Sequence, residues 1–261
     1  MNLKNLIVEL FIISFIFPLI ILCIWSITGV WTYPNILPQS YSLRGFEYIL
    51  NLENVKVLIN SIVISIIVVF ITVIISIPAS KALSLYNFKG KRFFELLVLS
   101  PIIIPTISIA MGIHIFFIKL QISNSYLGVI IINILPCIPY AVRIIGDVYK
   151  LVGDKFEIQA KMLGASNIDI FKFVTLPLLL PGILGASSMC FIIVFSQYFL
   201  TMLIGGGNIV TYPMIMFSYI QSGDRTLGSL YSMVFLIVSI MILILIEKRV
   251  KRYYKNSSKL F

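Results

Sequence analysis

Long apolar stretches bounded by charged residues organise this chain. No charge occurs between Glu9 and Arg44, and Leu10 to Val30 is the apolar part of that interval. Further uncharged stretches cover 57–80, 96–118, 120–142, 173–223 and 226–246, the fourth being densely apolar over 178–204. A helix that crosses hydrocarbon needs about 20 apolar residues. The pattern therefore predicts six spans, near 8–30, 57–79, 95–118, 126–148, 178–204 and 227–247. Backbone groups in lipid must pair within their own segment, so the spans are predicted as helices. The short alternating segments of a β-barrel do not occur. The expected fold class is all-α, a polytopic membrane protein forming one domain over 1–261.

Composition agrees. Apolar residues make up 59% of the 261 residues and charged residues 11%, with a mean hydropathy of +1.05. A soluble domain carries about 25% charged residues, and disorder needs low hydrophobicity. Both classes are excluded. The first span follows Lys4 and resembles a secretory signal only superficially. Its apolar run exceeds the usual h-region and no A-x-A site follows, so it is expected to be a retained helix. Cys23, Cys137 and Cys190 lie in apolar stretches without CxxC spacing. They read as packing residues, with no metal site among them.

The net charge of +10 changes the picture through its distribution. With the N-terminus inside, the inner segments hold 16 of the 20 Lys and Arg residues. These are Lys4; Lys81, Lys89, Lys91 and Arg92; Arg143, Lys150, Lys155, Lys161 and Lys172; and Lys248, Arg249, Lys251, Arg252, Lys255 and Lys259. Arg44, Lys56, Lys119 and Arg225 make 4 outside. Positive charge is retained on the cytoplasmic side, so both termini are expected there. The basic residues flank apolar spans and point to a lipid bilayer as partner, not to nucleic acid. Trp25, Trp31 and Tyr33 fall at the outer end of the first span, where aromatic rings favour the interface.

The inner segment 150–177 is patterned beyond the needs of a connector. Asp154 and Glu157 have capping-box spacing, and Glu157 and Lys161 form an i,i+4 pair in the favourable order. Gly164 falls where a glycine stops a helix in left-handed geometry. Ser166 and Asp169 repeat the start signal, and Leu176-Pro177 is expected to end the second helix. The predicted result is a cytoplasmic helix-turn-helix, which would offer a docking surface to a soluble partner.

This segment resembles the EAA loop of inner-membrane permeases of binding-protein-dependent ABC importers. That pattern is E-A-A, three residues, G, nine residues, I-x-L-P. Anchored on Gly164, the spacing to Val174-Thr175-Leu176-Pro177 fits, with Val for Ile, and Ala160 matches the second Ala. Ile158 and Gln159 depart from the motif Glu and first Ala, and Glu157 stands one residue early. NFKGKRFFELLVLSPIIIPTISIAMG is similar to the family's second inside loop and third span, and SQYFLTMLIGGGNIVTYPMIM to the fifth span and outer loop of the subgroup serving thiamine, iron(III), polyamines and aminophosphonates. The resemblance implies a type I importer. In it this chain forms the solute pathway with a second permease subunit, the same chain or a different one. A pair of cytoplasmic ATP-binding subunits docks on the coupling loop, and an extracytoplasmic solute-binding protein delivers the solute. Glu157, Ala160, Gly164, Ala165 and Pro177 are the implied ATPase-coupling residues. The implied location is a bacterial-type inner membrane, with no enzymatic activity and no cofactor.

Other residues add little chemistry. No G-x-x-x-x-G-K-[ST] phosphate loop exists, and Gly205-Gly206-Gly207 reads as a loop. A single histidine, His114, forms neither a typical zinc site nor a proton relay alone. His114, Asn133 and Gln197 are candidate pathway-lining residues, against interhelical hydrogen bonding as the plainer role. Polyamine-type members carry acidic residues near the position of Ser196-Gln197, and their absence here argues against a polycationic solute. Pro101, Pro105, Pro136, Pro139 and Pro181 predict kinked helices. The alternative is a secondary transporter or channel, disfavoured by the lack of an internal repeat and of intramembrane carboxylates. A membrane-embedded protease lacks H-E-x-x-H and G-x-S-G. The charge asymmetry makes the first prediction. Single cysteines placed in 34–52 and 206–224 should react with an impermeant thiol reagent outside intact cells, and those in 155–170 should not.

Overall fold

The computed structural model describes residues 3–32 and 35–257, so Tyr33 and Lys259 lie outside the described residues. The elements in chain order begin with α1 Leu3–Ser26, β1 Thr28–Val30, β2 Ser40–Tyr41, α2 Arg44–Ile49 and α3 Leu52–Leu85. They continue with α4 Lys91–Ile103, α5 Thr106–Lys119, α6 Tyr126–Ile134, α7 Ile138–Val152, α8 Lys155–Met162 and α9 Asn167–Ile170. A π-helical segment, Phe171–Thr175, leads into α10 Leu176–Phe195, followed by α11 Phe199–Gly205, α12 Tyr212–Ser222 and α13 Arg225–Ser257. Among the described residues four helical stretches are individually long and apolar enough to cross a membrane, and the count rises to six if each of two bent pairs is one span.

The chain divides into two compact units. The first comprises residues up to Asn60 together with Thr211–Ile240. Its core is Tyr212, Leu227 and Tyr231, packed by Ile49, Leu58 and Tyr219. The Tyr212 hydroxyl donates to the Tyr231 carbonyl at 3.1 Å. β1 and β2 form a small antiparallel hairpin, anchored where the Thr226 hydroxyl donates to the Thr28 carbonyl at 2.7 Å. The Trp25 and Trp31 rings meet edge to face at 6.2 Å, and the Arg225 guanidinium lies over Trp25 at 5.5 Å. Aromatic rings do cluster at the end of α1, as its composition predicts. Along α1 itself Phe11, Phe15 and Phe17 stand exposed, the behaviour of a helix whose solvent is lipid.

The second unit runs over Ser61–Val210 and the chain from Met241 onward. Within it α3 buries a strip of small polar residues, Ser65, Thr72, Ser76 and Ser80. These residues are spaced so that they fall on one helix face. The hydroxyls of Ser65, Thr72 and Ser80 bond back to carbonyls four residues earlier. Ser80 also donates to the Val142 carbonyl of α7 at 3.0 Å. α7 and α10 pack through Ala141, Ile145, Gly182 and Ala186, of which the two alanines and the glycine are small enough to let the helices approach closely. Cys137 and Cys190 each direct the thiol at the other's backbone carbonyl, at 3.8 and 3.7 Å. They are packing residues, as expected, whereas Cys23 is exposed on α1.

Two predicted spans differ in shape. The span expected over 95–118 is the pair α4 and α5, bent by 103°. Ile104 is extended (φ −87°, ψ 135°) because it precedes Pro105, whose ring excludes the helical conformation from its neighbour. The fourth span bends by 49° between α6 and α7, at Pro136. Pro101 and Pro181 stay inside their helices and Pro139 sits in the first turn of α7. The fifth is displaced toward the N-terminus. Continuous helix covers Asn167–Phe195, not 178–204. It ends at Ser196, whose hydroxyl donates to the carbonyls of Ile192 and Ile193, and Phe199–Gly205 is a separate helix.

Gly182 tests the α7–α10 contact. A Cβ there would lie 2.8 Å from Val148 Cγ2 and 3.4 Å from Ile145 Cα. Overpacking of this kind costs about 1–3 kcal/mol. Gly182→Ala should lower the thermal midpoint of the purified protein in detergent, whereas Gly112→Ala, which meets nothing within 4 Å, should not.

Candidate functional site

The segment from α7 to α10 lies wholly in the second unit. α7 ends at Gly153 (φ 69°), and α8 starts after Asp154. The expected capping box is not formed: Asp154 makes no side-chain capping bond. Glu157 reaches away from the helix end. One carboxylate oxygen pairs with Lys81 Nζ near the C-terminal end of α3, and the other accepts the Thr175 hydroxyl at 2.6 Å. The Glu157–Lys161 pair predicted from spacing is likewise absent, because the carboxylate is committed to these two partners. The side chains of Lys81 and Glu157 are 28% and 18% exposed. At that burial an ion pair with a supporting hydroxyl holds its geometry better than a surface pair does. Glu157 therefore ties α8 to both α3 and the π-helical segment.

Gly164 does what its position predicts. Its φ is +84°, its N–H bonds the Lys161 carbonyl at 3.1 Å, and the Ala165 N–H bonds the Ala160 carbonyl at 3.1 Å. These two bonds are the reciprocal pair of a Schellman stop. Ser166 then caps α9: its hydroxyl oxygen accepts the Asp169 N–H at 3.2 Å and its proton goes to the Asp169 carboxylate at 2.6 Å. Leu176-Pro177 does not end the second helix. The chain passes from α9 through the π turn into α10, with Pro177 in the first turn of α10. A wider turn before a proline relieves the clash of its ring with the preceding carbonyls and absorbs its missing N–H.

The structure thus brings Glu157, Ala160, Gly164 and Ala165 into one compact helix-glycine-helix element and leaves Pro177 half-buried beyond it. Around the glycine turn Met162, Leu163 and Ile168 are 83%, 88% and 78% exposed. Lys155 and Lys161 are exposed beside them. The candidate pathway residues do not converge in the same way. Asn133 is 1% exposed, and its amide donates to Val129 O at 2.8 Å and to Thr201 Oγ1 of α11 at 3.2 Å, an interhelical bond. Its Oδ1 is buried without a partner. His114 on α5 and Gln197 after α10 are half-buried, and no side-chain hydrogen bond is made by either among the described residues. Lys81 and Thr175 carry no local signal toward Glu157, since Lys81 lies 76 residues away and Thr175 lies 18 away.

Residues 72–254 match the family profile described as binding-protein-dependent transport system inner membrane component. The chain belongs to that family. It is 24% identical over 245 residues to a Salmonella typhimurium protein named as the PhnV permease of a 2-aminoethylphosphonate transport system, across 93% of this chain and 92% of that one. It is 23% identical to the Escherichia coli inner membrane ABC transporter permease protein YcjP, across 84% and 81%. Haemophilus influenzae PotC, a spermidine/putrescine transport system permease, is 21% identical across 79% and 81%. The fold is also that of a chain in the crystal structure of a bacterial ABC transporter involved in import of the acidic polysaccharide alginate, with TM-score 0.71 and 17% identity over 96% and 95% of the two chains. The protein is a multi-pass inner-membrane permease of an ABC importer.

The tie at Glu157 is open to a double-mutant cycle. Lys81→Met and Glu157→Gln should each destabilise the permease in unfolding experiments in mixed micelles. The double variant should lose less than the sum, with an interaction energy of about 0.5–3 kcal/mol.

Proposed function

We propose that the α8–Gly164–α9 element is the surface through which this permease takes up work from a separate pair of ATP-binding subunits. The observation that carries this reading is a rigid element tipped by exposed apolar side chains. The Schellman turn and the Ser166 cap set the angle between the short helices. The Glu157 bonds to Lys81 and Thr175 hold α8 against two other elements of its unit. Met162, Leu163 and Ile168 would be costly to leave in water and supply apolar area for a soluble partner. In this reading Ala160 and Ala165 let a partner approach closely and Pro177 begins the helix that receives the push.

Family membership supports a second permease subunit that completes the pathway and an extracytoplasmic binding protein that supplies the solute, and the 16-to-4 distribution of Lys and Arg supports both termini in the cytoplasm. The chain carries no catalytic role. The 1% exposure of Asn133 and its bond to Thr201 favour the interhelical role for that residue, so the half-buried His114 and Gln197 are the better placed pathway candidates. The relatives' names cover an aminophosphonate and polyamines, so membership alone assigns no solute.

Gly164 provides the test. A Cβ there meets nothing within 4 Å, so the cost of a substitution comes from its positive φ alone. That cost is about 1–2 kcal/mol for an ordinary side chain, and asparagine tolerates the conformation. Gly164→Val should accumulate in the membrane near normal levels yet bind the ATPase weakly and transport little. Gly164→Asn should retain much of both. Full transport per assembled complex in Gly164→Val would remove this segment from the coupling path.

A further inference from the structure

A second basic cluster lies elsewhere in the same unit, around a cavity of about 480 Å³ between α4, α7 and the end of α3. Lys91, Arg143 and Lys150 line it against a single carboxylate in the lining, that of Glu95. Arg143 and Lys150 are seven residues apart on α7, about two turns, and so share a face. Lys91 Nζ donates to the Tyr86 carbonyl at 3.1 Å. Lys150 Nζ pairs with Asp147 at 3.1 Å, but both side chains are more than half exposed and the pair is weak. Arg143 is exposed and forms no ion pair or hydrogen bond among the described residues. Its planar fork is suited to two oxygens of one phosphate.

Apart from Ser84 the remaining wall is apolar. Val98 and Leu99 line the cavity, and the same helix leaves Phe94 and Leu97 exposed. A free inorganic anion would use the cations and gain nothing from this wall. An amphiphile uses both. Basic pockets at the cytoplasmic ends of membrane helices hold anionic lipid headgroups for this reason. We propose that the cavity is a headgroup site for an anionic phospholipid, with Arg143 on the phosphodiester, Lys91 and Lys150 beside it, and an acyl chain along Val98 and Leu99. The site is separate from the Glu157 element and does not depend on the coupling assignment. Its occupancy would make the packing of α4 against α7 sensitive to the lipid composition of the membrane.

The test uses the full chain in nanodiscs of equal parts phosphatidylcholine and phosphatidylglycerol, with the lipids retained on detergent extraction counted by native mass spectrometry. The wild-type protein should retain phosphatidylglycerol in preference. Each cation near an anionic surface contributes about fivefold in affinity, so Arg143→Gln with Lys150→Gln should lose about thirtyfold. Lys248→Gln with Arg249→Gln removes the same charge elsewhere and should keep the preference. Arg143→Lys keeps charge but not the fork, and should fall between wild type and the double variant; it carries the test if the double variant aggregates. Unchanged retention in the Arg143 variants, or an equal loss in the Lys248 and Arg249 control, overturns the site. Displacement of the lipid by equimolar inorganic phosphate would assign the cluster to a free anion and overturn the lipid.

Discussion

Hydrocarbon offers the backbone no hydrogen-bond partner, and that constraint governs where this chain can depart from a helix. Each departure has a local remedy. At the sharpest bend the Ile104 N–H still reaches Ser100 at 2.9 Å, and the residue that follows, Pro105, has no N–H to satisfy. At the second bend Cys137 and Ala141 pick up Ile134 and Cys137 within 3.0 Å. The buried hydroxyls of Ser65, Thr72 and Ser80 on α3 return to the carbonyls of their own helix, which lowers the cost of a polar strip facing the unit's interior. Where the chain turns fully, between α8 and α9, the Schellman bonds close the accounting.

The same constraint places the working parts. Helices that cannot gain from the hydrophobic effect against one another associate by close packing and by occasional hydrogen bonds. Ala141, Gly182 and Ala186 provide the first between α7 and α10, and Ser80, Asn133 and Thr201 provide the second. α7 and α10 flank the α8–α9 element in sequence, and Glu157 links α8 to α3 through Lys81. Under the proposed coupling role, a movement imposed on that element would reach a tightly packed helix pair and α3 together.

Several local signals were overruled by longer-range contacts. Asp154 and Glu157 have the spacing of a capping box, but the carboxylate is worth more against a lysine and a threonine hydroxyl than against a solvated helix end. The i,i+4 partner Lys161 loses to Lys81 for the same reason. Pro177 reads as a stop, yet one wide turn ahead of it lets helix continue from Asn167 to Phe195. Local rules describe what an isolated segment prefers, and these three sites lie where the segment is not isolated.

The sequence by itself determined the membrane class, the apolar segments and the glycine stop at Gly164, and it named Pro105 and Pro136 only among five prolines expected to kink, of which Pro101, Pro139 and Pro181 stay within helices. These follow from composition, from proline and glycine stereochemistry, and from apolar run length, all of which are local quantities. The spacing from Ala160 through Gly164 to Pro177 also made the family legible. Only the tertiary structure decided that α4 and α5 bend by 103°, that Glu157 bonds Lys81 and Thr175, and that Asn133 meets Thr201. It alone gathered Lys91, Arg143 and Lys150 around one cavity. For the bonded pairs the physical reason is sequence separation: Glu157 with Thr175 and Lys81, and Asn133 with Thr201, pair across 18 to 76 residues, and no periodicity along a chain records which side chains folding will bring within hydrogen-bond reach.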